Sequence, residues 1–332
     1  MSLARVGIQI GASTPPSELG GIAAEAEALG YGEIWLAEDY FELGGIASAG
    51  IALAATERIP VGLGIVAGVV RHPAVTAMEF ATLGRAYPGR FLGGIGHGVP
   101  GWVRQMGIEP ASPMRALREA VASTRILLDG EELTEAGEYF TFNDVRLDDV
   151  PDEPVPLYLG VHGPASLRLS GELADGTLLG WFSSPGYVAW ARERIDEGRR
   201  RASRGDPHQL ATLCLLSLSD DDGPSAGRAL SRWATPMLTQ MVGSAQFTTS
   251  PEGAELRAFL ESQDAEEPAD IPPDLLNRFV AAGDTASCAT TIRGLLDGGA
   301  DRVVLVPNPA GIRTTDEMVE QIRAAVELVA TG

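Results

Sequence analysis

The sequence predicts an α/β protein built as a (β/α)8 TIM barrel, and three observations predict it. Eight short apolar runs of strand length recur, at 5–10, 33–37, 60–66, 91–95, 155–161, 176–181, 210–218 and 302–306. Several are apolar on both faces, as in Leu213-Cys214-Leu215-Leu216 and Val303-Val304-Leu305-Val306, the pattern of parallel strands buried on both sides. Between them the apolar period lengthens to that of an amphipathic helix. A doubly wound open sheet is the competing arrangement. The count of eight, with no G-x-G-x-x-G after the first run, favours the closed barrel.

The elements follow in order. The first run, Arg5-Val6-Gly7-Ile8-Gln9-Ile10, opens the chain with neither a charged leader nor an apolar targeting segment ahead of it. Ser17 marks the start of the first helix, whose Leu19, Ile22, Ala26 and Leu29 share a face. Pro73 opens the helix after the third run, because proline fits the first helical position, where no N–H is needed. Met114, Leu117, Val121 and Thr124 line another helical face, and residues 137–150 read as a small hairpin before the fifth strand. Residues 220–283, between strands 7 and 8, are expected as an insertion: a helix, then an acidic, proline-bearing stretch from Ser262 to Pro273. In a barrel this interval opens at the face where active sites lie, so a lid is expected there, with a disordered loop as the alternative. Thr314 or Thr315 starts the last helix, with Met318, Ile322, Ala325, Val326 and Val329 on one face. A barrel of about 250 residues plus that insertion accounts for 1–332 as one domain.

Composition excludes several function classes. Apolar residues form 45% of the 332, enough for a large core, and the 40 glycines and 22 prolines stay below the level of disordered chains. A net charge of −20 argues against nucleic acid and anionic membranes as partners, since both attract basic patches. All 25 basic residues are arginine. Without lysine there is no Schiff-base catalysis, no P-loop and no kinase-type lysine. Cys214 and Cys288 stand far apart with no CxxC, so no disulfide framework or zinc knuckle is indicated. The longest apolar stretch, Ile59 to Val70, is broken by glycines and too short to span a membrane. A soluble, cytoplasmic protein is expected.

Barrel enzymes carry their reactive groups at the C-terminal ends of the strands. Strand two ends in Glu38-Asp39-Tyr40-Phe41, two carboxylates and a phenol. Strand four ends in Gly94-Ile95-Gly96-His97-Gly98, strand five in Gly160-Val161-His162-Gly163-Pro164, strand six in Gly180-Trp181-Phe182 and strand eight in Pro307-Asn308-Pro309. Glycine lets a backbone approach a flat ligand closely, although each glycine alone also fits an ordinary turn. Gly163-Pro164, opening a helix at Ala165, would point free N–H groups at an anion, a way to hold phosphate without lysine. Together these ends suggest a flat, phosphate-bearing cofactor. Three of four histidines, His72, His97 and His162, lie at or just after strand ends, but no H-x-H or H-E-x-x-H spacing indicates a metal. His72, just before Pro73, reads as structural.

Three segments carry a family resemblance. Gly64-Ile65-Val66-Ala67-Gly68-Val69-Val70-Arg71-His72-Pro73-Ala74-Val75-Thr76-Ala77 resembles the third-strand motif of the bacterial luciferase-like superfamily, in its branch using the deazaflavin coenzyme F420. Gly89-Arg90-Phe91-Leu92-Gly93-Gly94-Ile95-Gly96 is similar to that family's fourth-strand segment, and Gly163-Pro164 with Gly171-Glu172-Leu173-Ala174-Asp175-Gly176 to its phosphate loop. The likeness covers about residues 1–200 and the last fifty, and is weak across 205–280. It implies a luciferase-like barrel with a flavin or deazaflavin at its mouth. It also implies a non-prolyl cis peptide at Gly64-Ile65 behind the ring, with Val66, Gly96 and Gly98 beside it. The implied phosphate site is the backbone of Val161, His162, Gly163 and Ala165, with Gly180 and Trp181 nearby, and the implied assembly a homodimer.

This chain departs from the family's known reactions. F420-dependent glucose-6-phosphate dehydrogenases have Asp-His where Asp39-Tyr40 stands, and a glutamate in place of His97. The methanopterin reductase has an acid where Gln9 stands. The sequence therefore implies hydride transfer between F420 and an unknown small organic substrate, with His97 as proton donor, because imidazole titrates near neutrality. Tyr40 is the second candidate, and Asp39 or Glu38 would orient the ring. An FMN-dependent monooxygenase and a non-catalytic flavin-binding protein are the alternatives.

Overall fold

The computed structural model describes residues 2–218, 224–263, 270–307 and 314–330. The first half runs β1 (Val6–Ile10), α1 (Pro16–Leu29), β2 (Glu33–Leu36), α2 (Gly45–Ala54), β3 (Val61–Leu63), β4 (Val66–Ala67), α3 (Pro73–Ala86) and β5 (Phe91–Gly96). Then come α4 (Pro100–Gln105), α5 (Pro113–Leu128), the hairpin β6 (Leu133–Ala136) and β7 (Thr141–Val145), β8 (Leu157–Gly160), α6 (Pro164–Leu173) and β9 (Gly176–Leu179). The remainder is α7 (Pro185–Arg201), β10 (Gln209–Leu218), α8 (Pro224–Met241), α9 (Ala245–Thr248), α10 (Pro251–Glu261), α11 (Pro273–Leu276), β11 (Ala281–Gly283), α12 (Thr285–Asp297), β12 (Arg302–Pro307) and α13 (Thr315–Ala330).

Eight strands close the expected barrel in the order β1-β2-β3-β5-β8-β9-β10-β12, all pairings parallel, with β12 returning to β1. The third run, expected as one strand over 60–66, is two pieces. A cis peptide at Gly64-Ile65 separates β3 from β4, and β4 continues along β5. The first helix begins at Pro16, so Ser17 lies inside it rather than capping it.

The period of two sorts the strand side chains. Val6, Ile8, Ile10, Ile34, Leu36, Leu157, Leu159, Val303 and Leu305 pack outward into the layer shared with the helices. Trp35, Tyr158, Leu178, Leu213, Leu215, Val304 and Val306 fill the barrel. At its floor the bulk of Trp35 and Tyr158 fits only because glycines face them. A methyl on Gly62 would lie 2.6 Å from Trp35 and one on Gly176 2.2 Å from Tyr158. Buried Glu33 accepts from the Trp35 indole at 2.8 Å and pairs with Arg302 at 3.2 Å.

The interval between β10 and β12 is richer than one helix. Leu230, Ala234 and Leu238 of α8, Phe247 of α9, Leu256 of α10 and Leu276 of α11 are buried in the same cluster as the barrel interior. β11 pairs with Leu216–Leu218 of β10 beyond the point where β9 stops. Residues 264–269 of the acidic stretch, and Asn308 and Pro309 at the end of strand eight, lie outside the described residues.

Candidate functional site

A cavity of about 140 Å³ opens at the C-terminal mouth, over the ends of β2, β4, β5 and β8. Glu38, Asp39 and Tyr40 form one side, and His97, Gly98 and His162 another. Ile65 and Gly160 form the base, and Val99 and Trp102 come from the loop into α4. The sequence therefore identified seven of the lining positions: Glu38, Asp39, Tyr40, Ile65, His97, Gly98 and His162.

The glycines at these ends serve a purpose other than ligand approach. A methyl on Gly96 would stand 2.7 Å from Ile65, and one on Gly160 2.6 Å from it. Both glycines clear space for the Ile65 side chain, which becomes a ledge under the cavity. Gly98 has a left-handed backbone, φ 74°, and a side chain there would strike Ala67 at 2.6 Å. Gly163 and Gly180 differ: at Gly180 no atom lies within 4 Å of a methyl position, and at Gly163 only Ser166 Oγ, at 3.5 Å. Those two face open space.

Glu38 is buried and saturated. Arg71 donates to both its oxygens at 2.7 Å, the Tyr40 hydroxyl donates at 3.0 Å, and the backbone N–H of Gly45 donates at 2.9 Å. The carboxylate thus ties β2 to the segment after β4 and to the start of α2, rather than presenting free acceptors to a ring. Burial and the Glu38 charge push the Tyr40 phenol up to about 12. Its hydroxyl proton is directed at Glu38 in this arrangement. Its ring packs on Trp102 with centroids 5.9 Å apart, and the following peptide, Tyr40-Phe41, is also cis.

Among the groups lining the cavity, Asp39 and His97 carry side-chain atoms without a hydrogen-bond partner among the described residues. Burial and the neighbouring Glu42 and Glu38 charges hold the Asp39 carboxyl above the usual range, and among the described residues no donor bonds its carboxylate. His97 Nδ1 is buried without a hydrogen-bond partner. Burial, then the neighbouring His162, hold the ring below the ordinary histidine value, while the Pro113 backbone opposes them. A neutral imidazole with a bare ring nitrogen can accept or return a proton near pH 7.

The remaining expected residues stand apart from the cavity. Val66 and Val161 are buried in the outer core, so only their backbone can serve a ligand. Gly163 begins α6 without a side-chain cap, and Ala165 is exposed beside it, leaving the first N–H groups of that helix to solvent or an anion. Trp181 receives Gln246 Nε2 on its carbonyl at 2.6 Å and packs on Trp233 at 6.1 Å, which links Gly180-Trp181 to the insertion. His72 is structural as expected: its Nδ1 accepts from Ala74 N–H at the start of α3, and its ring sits against Phe140 and Phe142. Sequence reading missed Val99, Trp102 and Arg71. Arg71 lay within a quoted motif, but only the folded register shows it reaching Glu38.

An eightfold parallel barrel that gathers an acid and an imidazole at its C-terminal mouth has the architecture of a barrel enzyme. The chain belongs to the luciferase-like monooxygenase family, whose sequence profile matches residues 1–302, and it is an oxidoreductase. It is 33% identical over 233 residues to a protein of Nakamurella multipartita named F420-dependent glucose-6-phosphate dehydrogenase, covering 66% of this chain and 68% of that one. It is 25% identical over 306 residues to the 5,10-methylenetetrahydromethanopterin reductase of Methanolobus tindarius, covering 90% and 92%. An F420-dependent secondary alcohol dehydrogenase with an F420-acetone adduct shares the fold, with a TM-score of 0.78 at 23% identity over 98% of both chains.

Proposed function

We propose that this chain is an F420-dependent oxidoreductase acting on a small organic molecule. The observation carrying this reading is the cavity above Ile65, where the Asp39 carboxyl and His97 Nδ1 both lack partners. The relatives named for F420 support it. Bound there, the deazaflavin would supply hydride transfer at its C5. Ile65 would back the ring, Asp39 would meet its polar edge, and the open backbone at Gly163, Ala165 and Gly180 would hold the phosphate in place of lysine. His97 Nδ1 would take the substrate proton in oxidation and return it in reduction. Glu38 and Arg71 hold Tyr40 against Trp102 and keep that side of the cavity in place.

The test is a titration of the protein with F420 and with FMN, followed by fluorescence. Micromolar binding of F420 and none of FMN is the expected result; the reverse would replace this reading with the flavin monooxygenase. A homodimer and a cytoplasmic setting complete the reading. Exposed Ile51 on α2 and Val75 and Met78 on α3 are apolar side chains that a dimer would cover, and light scattering measures the mass. No helix among the described residues is long and apolar enough to cross a membrane.

A further inference from the structure

The cavity wall says which molecules can sit beside the cofactor. Its charged lining groups are Glu38 and Asp39, with Glu42 close enough to act on Asp39. Among the described residues no arginine lines the cavity, and the chain has no lysine. Arg71 approaches from behind, but both its terminal nitrogens are spent on Glu38 at 2.7 Å, and its Nε faces Glu79 at 3.6 Å. The His97 imidazole is held toward its neutral form by burial and by the neighbouring His162, which is itself exposed. An anion entering here would meet no lining cation among the described residues and an acidic field that the surrounding protein screens poorly.

The rest of the wall is apolar. Val99, a lining residue, is 45% exposed, Trp102 packs on Tyr40 at 5.9 Å, and Phe41, next to Tyr40 but outside the lining, is 70% exposed. Ile65, Trp181, Trp233 and Met237 pack, partly exposed, on the cluster that joins the barrel interior to the insertion. Apolar surface left open beside a reaction centre marks where an apolar ligand is covered.

Building on the F420 reading, we propose that the substrate is an uncharged, largely apolar alcohol or carbonyl compound, and that phosphorylated substrates are excluded. The sugar phosphate in the name of the Nakamurella multipartita relative therefore does not transfer to this chain. In this assignment Trp102 supplies apolar covering and Asp39 supplies the charge that rejects anions.

The full-length protein, with and without F420, is titrated with cyclohexanol, cyclohexanone and glucose 6-phosphate, and binding is read by saturation-transfer NMR and calorimetry. The expected result is saturable binding of the two neutral probes, at least about tenfold tighter than glucose 6-phosphate. Trp102→Ala should weaken the neutral probes on the free protein by about tenfold and leave glucose 6-phosphate binding unchanged. Asp39→Asn should narrow the gap between neutral and phosphorylated probes. Glucose 6-phosphate binding as tightly as cyclohexanol, or neutral probes that fail to bind while F420 does, would overturn the substrate assignment and leave the cofactor reading standing. Failure of F420 itself to bind defeats the cofactor reading instead, and the probes on the free protein still decide the wall's preference.

Discussion

The two ends of the barrel treat the same kinds of side chain in opposite ways. Near the floor, His208 is buried with both ring nitrogens engaged: one meets the Ala174 carbonyl at 3.2 Å and the other Thr177 Oγ1 at 2.9 Å. At the mouth, His97 has a buried Nδ1 with nothing bonded to it. The acids show the same contrast. Glu33 below has Trp35 and Arg302 and Glu38 above has four donors, whereas Asp39, one residue on, has none among the described residues. Leaving a buried polar group unpaired costs about 1–3 kcal/mol, a cost that also falls on Thr212 Oγ1 of β10, and at the mouth a ligand hydrogen bond to His97 Nδ1 would remove it.

Mutations at the two ends should separate these roles. The largest effect is expected at the mouth. His97→Ala should lower turnover by about 10²–10⁴-fold, with an unfolding midpoint close to wild type; full turnover with a lowered midpoint would make His97 a structural residue. Next comes Glu38→Ala, which strands the Arg71 charge in a part-buried site. A loss of about 3 kcal/mol is expected in urea unfolding, with Glu38→Gln milder because it keeps acceptors for Tyr40 and Gly45.

His208 gives a pH test of similar size. Burial, then Arg199 and Arg192, push it down to about 4. The folded chain keeps this ring neutral, while the unfolded chain protonates it near pH 6.5. Its contribution is therefore full above about pH 6.5 and is lost as pH falls toward 4, about 3 kcal/mol in all. Unfolding measured across that window should flatten in His208→Gln. The smallest effect is expected for Glu33→Gln at the floor, within about 1 kcal/mol. Burial already raises the Glu33 pKa despite Arg302, and the amide oxygen can still accept from Trp35.

What was legible in the sequence follows from the same division. The barrel showed because strands buried on both faces must be apolar throughout, as Val303 to Val306 are, and this needs no knowledge of neighbours. Positions at the strand ends, such as Asp39 and His97, were visible because parallel topology gathers those ends in one place. Partnership was not. Glu38 and Asp39 are adjacent carboxylates on paper, and only the fold brings Arg71, 33 residues away, onto one and not the other. The glycines misled for a related reason: the pattern shows that a side chain is absent, but not whether Ile65 or a ligand fills the space. The region between β10 and β12 was read as one helix and a loop because its short helices bury against the barrel interior, a surface no local period reveals.

Gly96, Gly160 and Ile65 form a trio whose volumes are complementary, since a methyl at either glycine would need the space the isoleucine occupies. The ends of β5 and β8 and the junction between β3 and β4 are thus bound by one sum of sizes. None can grow alone; a chain that shrinks residue 65 gains freedom at 160, whereas the Gly160 carbonyl, 2.8 Å from a methyl on Gly96, still crowds position 96. Redesign of the cavity base therefore has to treat the three as a single unit, exchanging bulk among them without adding to the total.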